Sequence, residues 1–185
     1  MAGTDAKKAQ AQGVAGPIIS LVVICLVSGC LLGLVNAQTA PIIDEVKAER
    51  AEQTYATLVE GAASFEDIGY TREGCVAALE AKGASGETLA HIFVCQSKGY
   101  GGQVPVAVAF DADGNVMALS VMDNDETPGL GTRATTEDYL KQYVGRGAET
   151  LDVSDVDLVS GATITSKTVL SAVNVAIESF KEVSS

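Results

Sequence analysis

The chain has 185 residues, enough for one compact domain and an appendage but too few for two ordinary domains. Its 24 acidic residues outweigh 12 basic ones, for a formal charge of −12, and the lysines and arginines form no cluster. Nucleic acid is thereby excluded as a partner, because phosphate neutralisation needs concentrated positive charge.

The apolar fraction of 47% is ordinary but unevenly spread, since no charged residue occurs between Lys8 and Asp44. Within this stretch, Pro17 to Ala37 (PIISLVVICLVSGCLLGLVNA) would extend about 32 Å as a helix, matching a hydrocarbon core of about 30 Å. A transmembrane helix is therefore expected over residues 17–37. Lys7 and Lys8 precede it and Asp44 and Glu45 follow it. The positive-inside rule then makes residues 1–16 a cytoplasmic segment and residues 38–185 an extracytoplasmic domain. Val27-Ser28-Gly29-Cys30 has the form of a lipobox, which would make Cys30 a lipidated N-terminus, but the apolar LLGLV after Cys30 favours a retained anchor. Gly29 and Gly33 have the small-xxx-small spacing that lets a second helix approach. Cys25 and Cys30, five residues apart, point about 140° apart on a helix and cannot share a metal ion.

Beyond the span, Pro41 and Asp44 introduce a charged segment with Val46, Ala51, Tyr55 and Leu58 at loosely helical spacing, which reads as a surface or neck helix. Glu73 to Lys82 (EGCVAALEAK) reads as a short helix closed by Gly83. The period then changes. Ile92–Cys95, Val104–Phe110 and Val116–Val121 are strand-like, with Asp113-Gly114 as a hairpin signal between the last two. A further helix is expected to begin within Thr135–Tyr143. Ile164–Val183 is the strongest helical stretch, with Leu170, Val173, Ile177 and Phe180 on one face. The class is α+β: one N-terminal transmembrane helix, then a small domain with an antiparallel sheet and flanking helices. Cys75 and Cys95 fall in the outer domain, where a disulfide is chemically permitted, and spacing alone does not decide whether they meet. His91 reads as a surface or core residue and not as a ligand.

Just before the last helix stands Asp157-Leu158-Val159-Ser160-Gly161-Ala162-Thr163. Ser160 is a suitable N-cap, Gly161 and Ala162 permit close approach, and Thr163 enters the first turn. Free N–H groups and the positive end of the helix dipole collect there, which suits a phosphate, although an ordinary capped helix has the same pattern. About 30 residues upstream, the loop from Asp123 to Thr132 (DNDETPGLGT) packs one proline and two glycines into backbone that can lie against a flat ring. Its alternative reading is an acidic turn.

Taken together, E-T-P-G-L-G at Glu126–Gly131, D-x-x-S-G-A-T ending at Thr163, and Gly99-Tyr100-Gly101-Gly102 before a strand resemble the FMN-binding domain family. This is the domain shared by the G subunit of Rnf complexes and the C subunit of sodium-translocating NADH:quinone reductases. The resemblance covers most of residues 40–183 as well as the single span, and the chain length favours the Rnf protein. It implies that FMN is esterified through its phosphate to Thr163, which maps onto the family's acceptor threonine. A separate flavin transferase would make that bond, so Thr163 is an acceptor and no residue is assigned a catalytic role. Ser160, Gly161 and Ala162 belong to the same element, and Thr127, Gly129 and Leu130 would border the flavin. The implied function is electron transfer within a membrane-bound ferredoxin:NAD+ oxidoreductase that couples electron flow to ion translocation, alongside other membrane and redox subunits. The chain has no dinucleotide fingerprint and no iron–sulfur cysteine cluster, so it is expected to work as a redox subunit and not as an enzyme alone. The alternatives are a stand-alone extracytoplasmic FMN carrier and a structural assembly protein with a vestigial flavin site.

Overall fold

A computed structural model describes residues 3–184, with side chains from Gly16 onward except Asp44. The side chains of Lys7, Lys8 and Asp44, on which the expected orientation largely rests, lie outside the described ones. Two compact units divide the chain, Met1–Ala48 and Glu49–Ser185.

Helix α1 (Gly3–Leu58) supplies the first unit and contains both Pro17 and Pro41. Neither proline ends it, as happens in apolar helices where the freed carbonyl can be satisfied locally. In the first unit Ile18, Leu21, Ile24, Leu31 and Leu34 are all exposed. The segment from Gly16 is long and apolar enough to cross a membrane. An all-round apolar surface of this kind is stable in hydrocarbon and costly in water.

The second unit is built on one antiparallel sheet in the order β1-β2-β3-β4-β5, with strands Ser64–Asp67, Cys75–Lys82, Thr88–Lys98, Gln103–Phe110 and Val116–Val121. The three expected strands are β3, β4 and β5, and Asp111–Asn115 makes the turn between the last two, with Gly114 at φ +84°. A Cβ on Gly114 would also come within 2.8 Å of the Phe180 ring, so the turn and the packing both require glycine there.

The helix expected over Glu73–Lys82 is instead β2. Alanine, leucine, glutamate and lysine favour a helix locally, but the segment pairs with β1 on one side and β3 on the other. From Ala77 the side chains alternate properly: Ala77, Leu79 and Ala81 join one face, while Ala78 joins the other. An irregularity between Cys75 and Ala77 hides this period of two in the sequence.

Helix α3 (Thr163–Val183) lies over one sheet face, where Val169, Val173, Ala176, Ile177 and Phe180 meet Phe93, Val106, Val108 and Phe110. Truncating a side chain such as Ile177 here costs on the order of 2–5 kcal/mol. The opposite face packs on Leu58 and Val59, at and just beyond the end of α1, through Ala81, Ile92, Val94, Ala107 and Ala109. The helix expected near Thr135 is short and broken: 3-10 turns at Gly131–Thr135 and Lys141–Tyr143 flank α2 (Glu137–Leu140). His91 is half-buried, with its ring edge-on to Phe180 at 6.0 Å.

Candidate functional site

The N-terminus of α3 opens onto a cleft of about 450 Å³ lined by Tyr100, Glu126, Thr127, Leu130, Gly131 and the run from Gly161 to Thr165. Three segments remote in sequence converge here. The β3–β4 turn brings Tyr100, the loop after β5 brings Glu126, Thr127, Leu130 and Gly131, and the turn at Gly161-Ala162 with the start of α3 brings the rest.

Glu126 joins the three. It is only 4% exposed, yet its carboxylate is satisfied: Oε1 accepts the N–H groups of Tyr100 at 2.8 Å and Gly101 at 3.0 Å. Its Oε2 accepts the Thr165 hydroxyl at 2.6 Å. Such a buried carboxylate is tolerable because each bond is charge-assisted. Glycines make room for it. A Cβ on Gly99 would lie 2.3 Å from Oε1, one on Gly131 would lie 2.5 Å from Oε2, and one on Gly101 would sit 1.9 Å from the Asp125 carbonyl oxygen. The two glycine-containing motifs are thus two sides of one carboxylate cradle. The loop also holds itself: Glu126 N–H donates to Asn124 Oδ1, Leu130 N–H to the Thr127 carbonyl, and Gly129 N–H to Thr132 Oγ1.

The expected N-cap is not Ser160. The capping position is Ala162, which has no side chain able to cap, and Ser160 is an exposed residue two positions earlier in a turn. Gly161, at φ +84°, makes that turn, and a Cβ there would come within 3.2 Å of Leu130. Ser166 takes up part of the local polarity, its hydroxyl accepting the Val159 N–H at 3.1 Å. With no side-chain acceptor at the cap, the first-turn N–H groups of α3 open at the cleft, the arrangement that receives an anion.

The two threonines of this turn differ sharply. Thr163 is the first helical residue and is exposed, whereas Thr165 is 2% exposed and its hydroxyl is committed to Glu126. Around the mouth, Tyr100 (74% exposed), Leu130 (48%) and Ile164 (55%) present apolar surface to solvent. The site therefore combines an anion-binding helix end, a free hydroxyl and an apolar rim. FMN has matching parts: a phosphate, which Thr163 and the first turn could hold, and a flat ring system, which Tyr100, Leu130 and Ile164 could cover.

Comparison with known proteins agrees with this chemistry. Residues 99–178 match the FMN-binding domain family. The chain is 31% identical over 166 residues to the G subunit of the proton-translocating ferredoxin:NAD(+) oxidoreductase complex of Clostridium ljungdahlii, covering 86% of this chain and 87% of the relative. The chain belongs to the family of G subunits of ion-translocating oxidoreductase complexes. A second member, the G subunit of the Na(+)-translocating ferredoxin:NAD(+) oxidoreductase complex of Acetobacterium woodii, is 28% identical over 89% of this chain and 90% of its own length. Among solved structures, Shewanella oneidensis NqrC aligns with a TM-score of 0.47 at 20% identity, over 63% of this chain and 66% of that one.

The family match begins at Gly99 and extends to Glu178, so it contains every residue lining the cleft. Of the residues expected from sequence, Thr163, Gly161, Ala162, Thr127 and Leu130 line the cleft, while Ser160 and Gly129 do not. Thr165, which helix geometry places about 200° around from its rival Thr163, also lines it, and Tyr100, Glu126, Gly131 and Ile164 line it without having been singled out individually. Three of these lie inside the motifs already noted, and what distinguished them was burial and direction, which a motif does not carry.

Proposed function

We propose that this protein is the membrane-anchored flavin carrier of a ferredoxin:NAD+ oxidoreductase complex, with FMN esterified through its phosphate to Thr163. The observation that carries the proposal is the contrast at the start of α3: Thr163 is exposed at an uncapped helix end, while the neighbouring threonine hydroxyl is bound to Glu126. Bound FMN would supply one- and two-electron chemistry, and this chain's residues would hold and shield it. Thr163 provides the attachment atom, the first-turn N–H groups neutralise phosphate charge, and Tyr100, Leu130 and Ile164 cover the ring. A tether at the phosphate leaves the ring itself unmodified, so its potential is set by these surroundings. A flavin transferase is the implied maturation partner, and other membrane and redox subunits are the implied electron partners.

Expression with the transferase, followed by denaturing electrophoresis under ultraviolet light, tests the attachment. Wild type and Thr165→Val should fluoresce, and Thr163→Val, which keeps the β-branched shape but loses the hydroxyl, should be dark. A fluorescent Thr163→Val band, or a wild-type peptide containing residue 163 without the added mass of FMN, refutes the assignment.

A further inference from the structure

Cys75 and Cys95 take no part in the cleft. They face each other across β2 and β3 as Cα partners, and both are buried, at 4% and 0% exposure. Their register decides how close they are. Gln96 N–H donates across to the Gly74 carbonyl at 2.7 Å, whereas Cys75 N–H turns back to the Arg72 carbonyl at 3.0 Å. In an antiparallel ladder the residues next to a hydrogen-bonded pair form the close, non-hydrogen-bonded pair, with Cα atoms about 4.5 Å apart. Cysteines can be bridged when their Cα atoms are roughly 4.4–6.8 Å apart.

The side chains point to the same place. Both join the core face beneath α3. Cys75 Sγ–H donates to the Ala77 carbonyl at 3.5 Å, and the neighbouring Cys95 thiol lowers the Cys75 thiol to about 7 while Cys95 itself is pushed up. Two buried thiols facing each other across adjacent strands meet the geometry that disulfide formation needs. The structure holds them as free thiols.

We infer that Cys75 and Cys95 form a buried cross-strand disulfide site that is oxidised once the domain has left the cytoplasm. This rests on the extracytoplasmic placement proposed for the domain. In the reaction two S–H bonds break and one S–S bond forms. The two electrons and two protons pass to the disulfide of a thiol oxidoreductase or a small-molecule disulfide, which leaves as two thiols. The bridge would tie β2 to β3 under the C-terminal half of α3. This is the stretch of sheet where β2 is irregular and its sequence favours a helix.

The test uses the full chain in its own membrane. Acid-quenched cells are denatured and alkylated with N-ethylmaleimide, with and without prior dithiothreitol, and the digest is read by mass spectrometry. Cys75 and Cys95 are expected as one linked pair that takes up label only after reduction, with Cys25 and Cys30 labelled in both samples. Free Cys75 and Cys95 without reductant, or either one joined to another chain, overturns the inference. In parallel, intact cells are treated with a membrane-impermeant amine reagent and Lys141, which is exposed, is assayed for label. A linked pair with unlabelled Lys141 keeps the disulfide and removes the placement. A labelled Lys141 with free thiols keeps the placement and removes the disulfide.

Discussion

At the residue scale, the informative side chain is Glu126. It stands in an acidic run with Asp123 and Asp125, and composition gives no sign that the third carboxylate turns inward. It does so because Tyr100 N–H, Gly101 N–H and the Thr165 hydroxyl together satisfy it, and because Gly99 and Gly131 leave space for it. Its work is positional: it fixes the backbone of the rim residue Tyr100 and engages the Thr165 hydroxyl. Glu126→Ala strands three donors, each worth about 1–3 kcal/mol when buried and unpaired. The variant is expected to lose stability by on the order of 2–4 kcal/mol once some donors reach water. Flavin incorporation should fall several-fold. Glu126→Gln retains a carbonyl for the two N–H groups and an amide that can donate to Thr165, so it should keep most of the flavin. In-gel fluorescence normalised to protein, together with denaturant midpoints, checks both. Equal loss in the two variants would mean that the negative charge matters and not the hydrogen-bond geometry.

At the scale of elements, what was legible depended on whether local preference and tertiary role agreed. β4, β5 and α3 were readable because each carries its own period, and Leu170, Val173, Ile177 and Phe180 are buried on the face that their spacing indicates. β2 was misread because its residues are strong helix formers, and only pairing with β1 and β3 makes it a strand. The start of α3 was legible in outline and misassigned in detail, since a serine near a helix start is the usual cap but the turn at Gly161 moves the boundary two residues on. The β4–β5 hairpin gives a test with a defined sign. Asp111 accepts the N–H groups of Asp113 and Asn115 and the Asn115 side-chain amide, and the Asn115 bond above all holds its carboxyl below the usual range. A depressed folded value means stability that is present above the ordinary aspartate value and lost as pH falls through the folded one. Asp111→Asn mimics the protonated form. At neutral pH it should be less stable than wild type by under about 1 kcal/mol, the small size reflecting solvent screening. The difference should shrink below about pH 4 and vanish in stronger acid. Denaturant midpoints of the two proteins from neutral pH into acid measure it, and a gap that widens on acidification would contradict the assignment.

For the whole molecule, the decisive question is which side of the membrane the Glu49–Ser185 unit occupies. The first unit exposes apolar side chains along a helix long and apolar enough to span a bilayer, and membership of a family of ion-translocating complexes gives that helix a membrane to cross. The proposed direction rests on Lys7 and Lys8 before the span, since basic residues near a span end are retained on the cytoplasmic side, with Lys47 and Arg50 after the span pulling the other way beside Asp44 and Glu45. The folded unit is therefore expected outside. This placement favours a covalent cofactor, because a flavin lost from an outer domain cannot be recaptured from the cytoplasmic pool, and it offers Cys75 and Cys95 an oxidising environment. Protease added to cells whose outer layers are permeable, but whose cytoplasmic membrane is intact, should remove the chain beyond about Asp44 and leave the N-terminal segment protected. Lys141 and Lys167, both exposed, are suitable cleavage points in the outer unit once it is loosened. Replacing Lys7 and Lys8 with glutamate and Asp44 and Glu45 with lysine reverses the charge difference, so a fraction of that variant should become resistant and lose its flavin fluorescence together. Cleavage at Lys141 or Lys167 only after the cytoplasmic membrane is breached would place the domain inside, and the flavin would then have to be attached there.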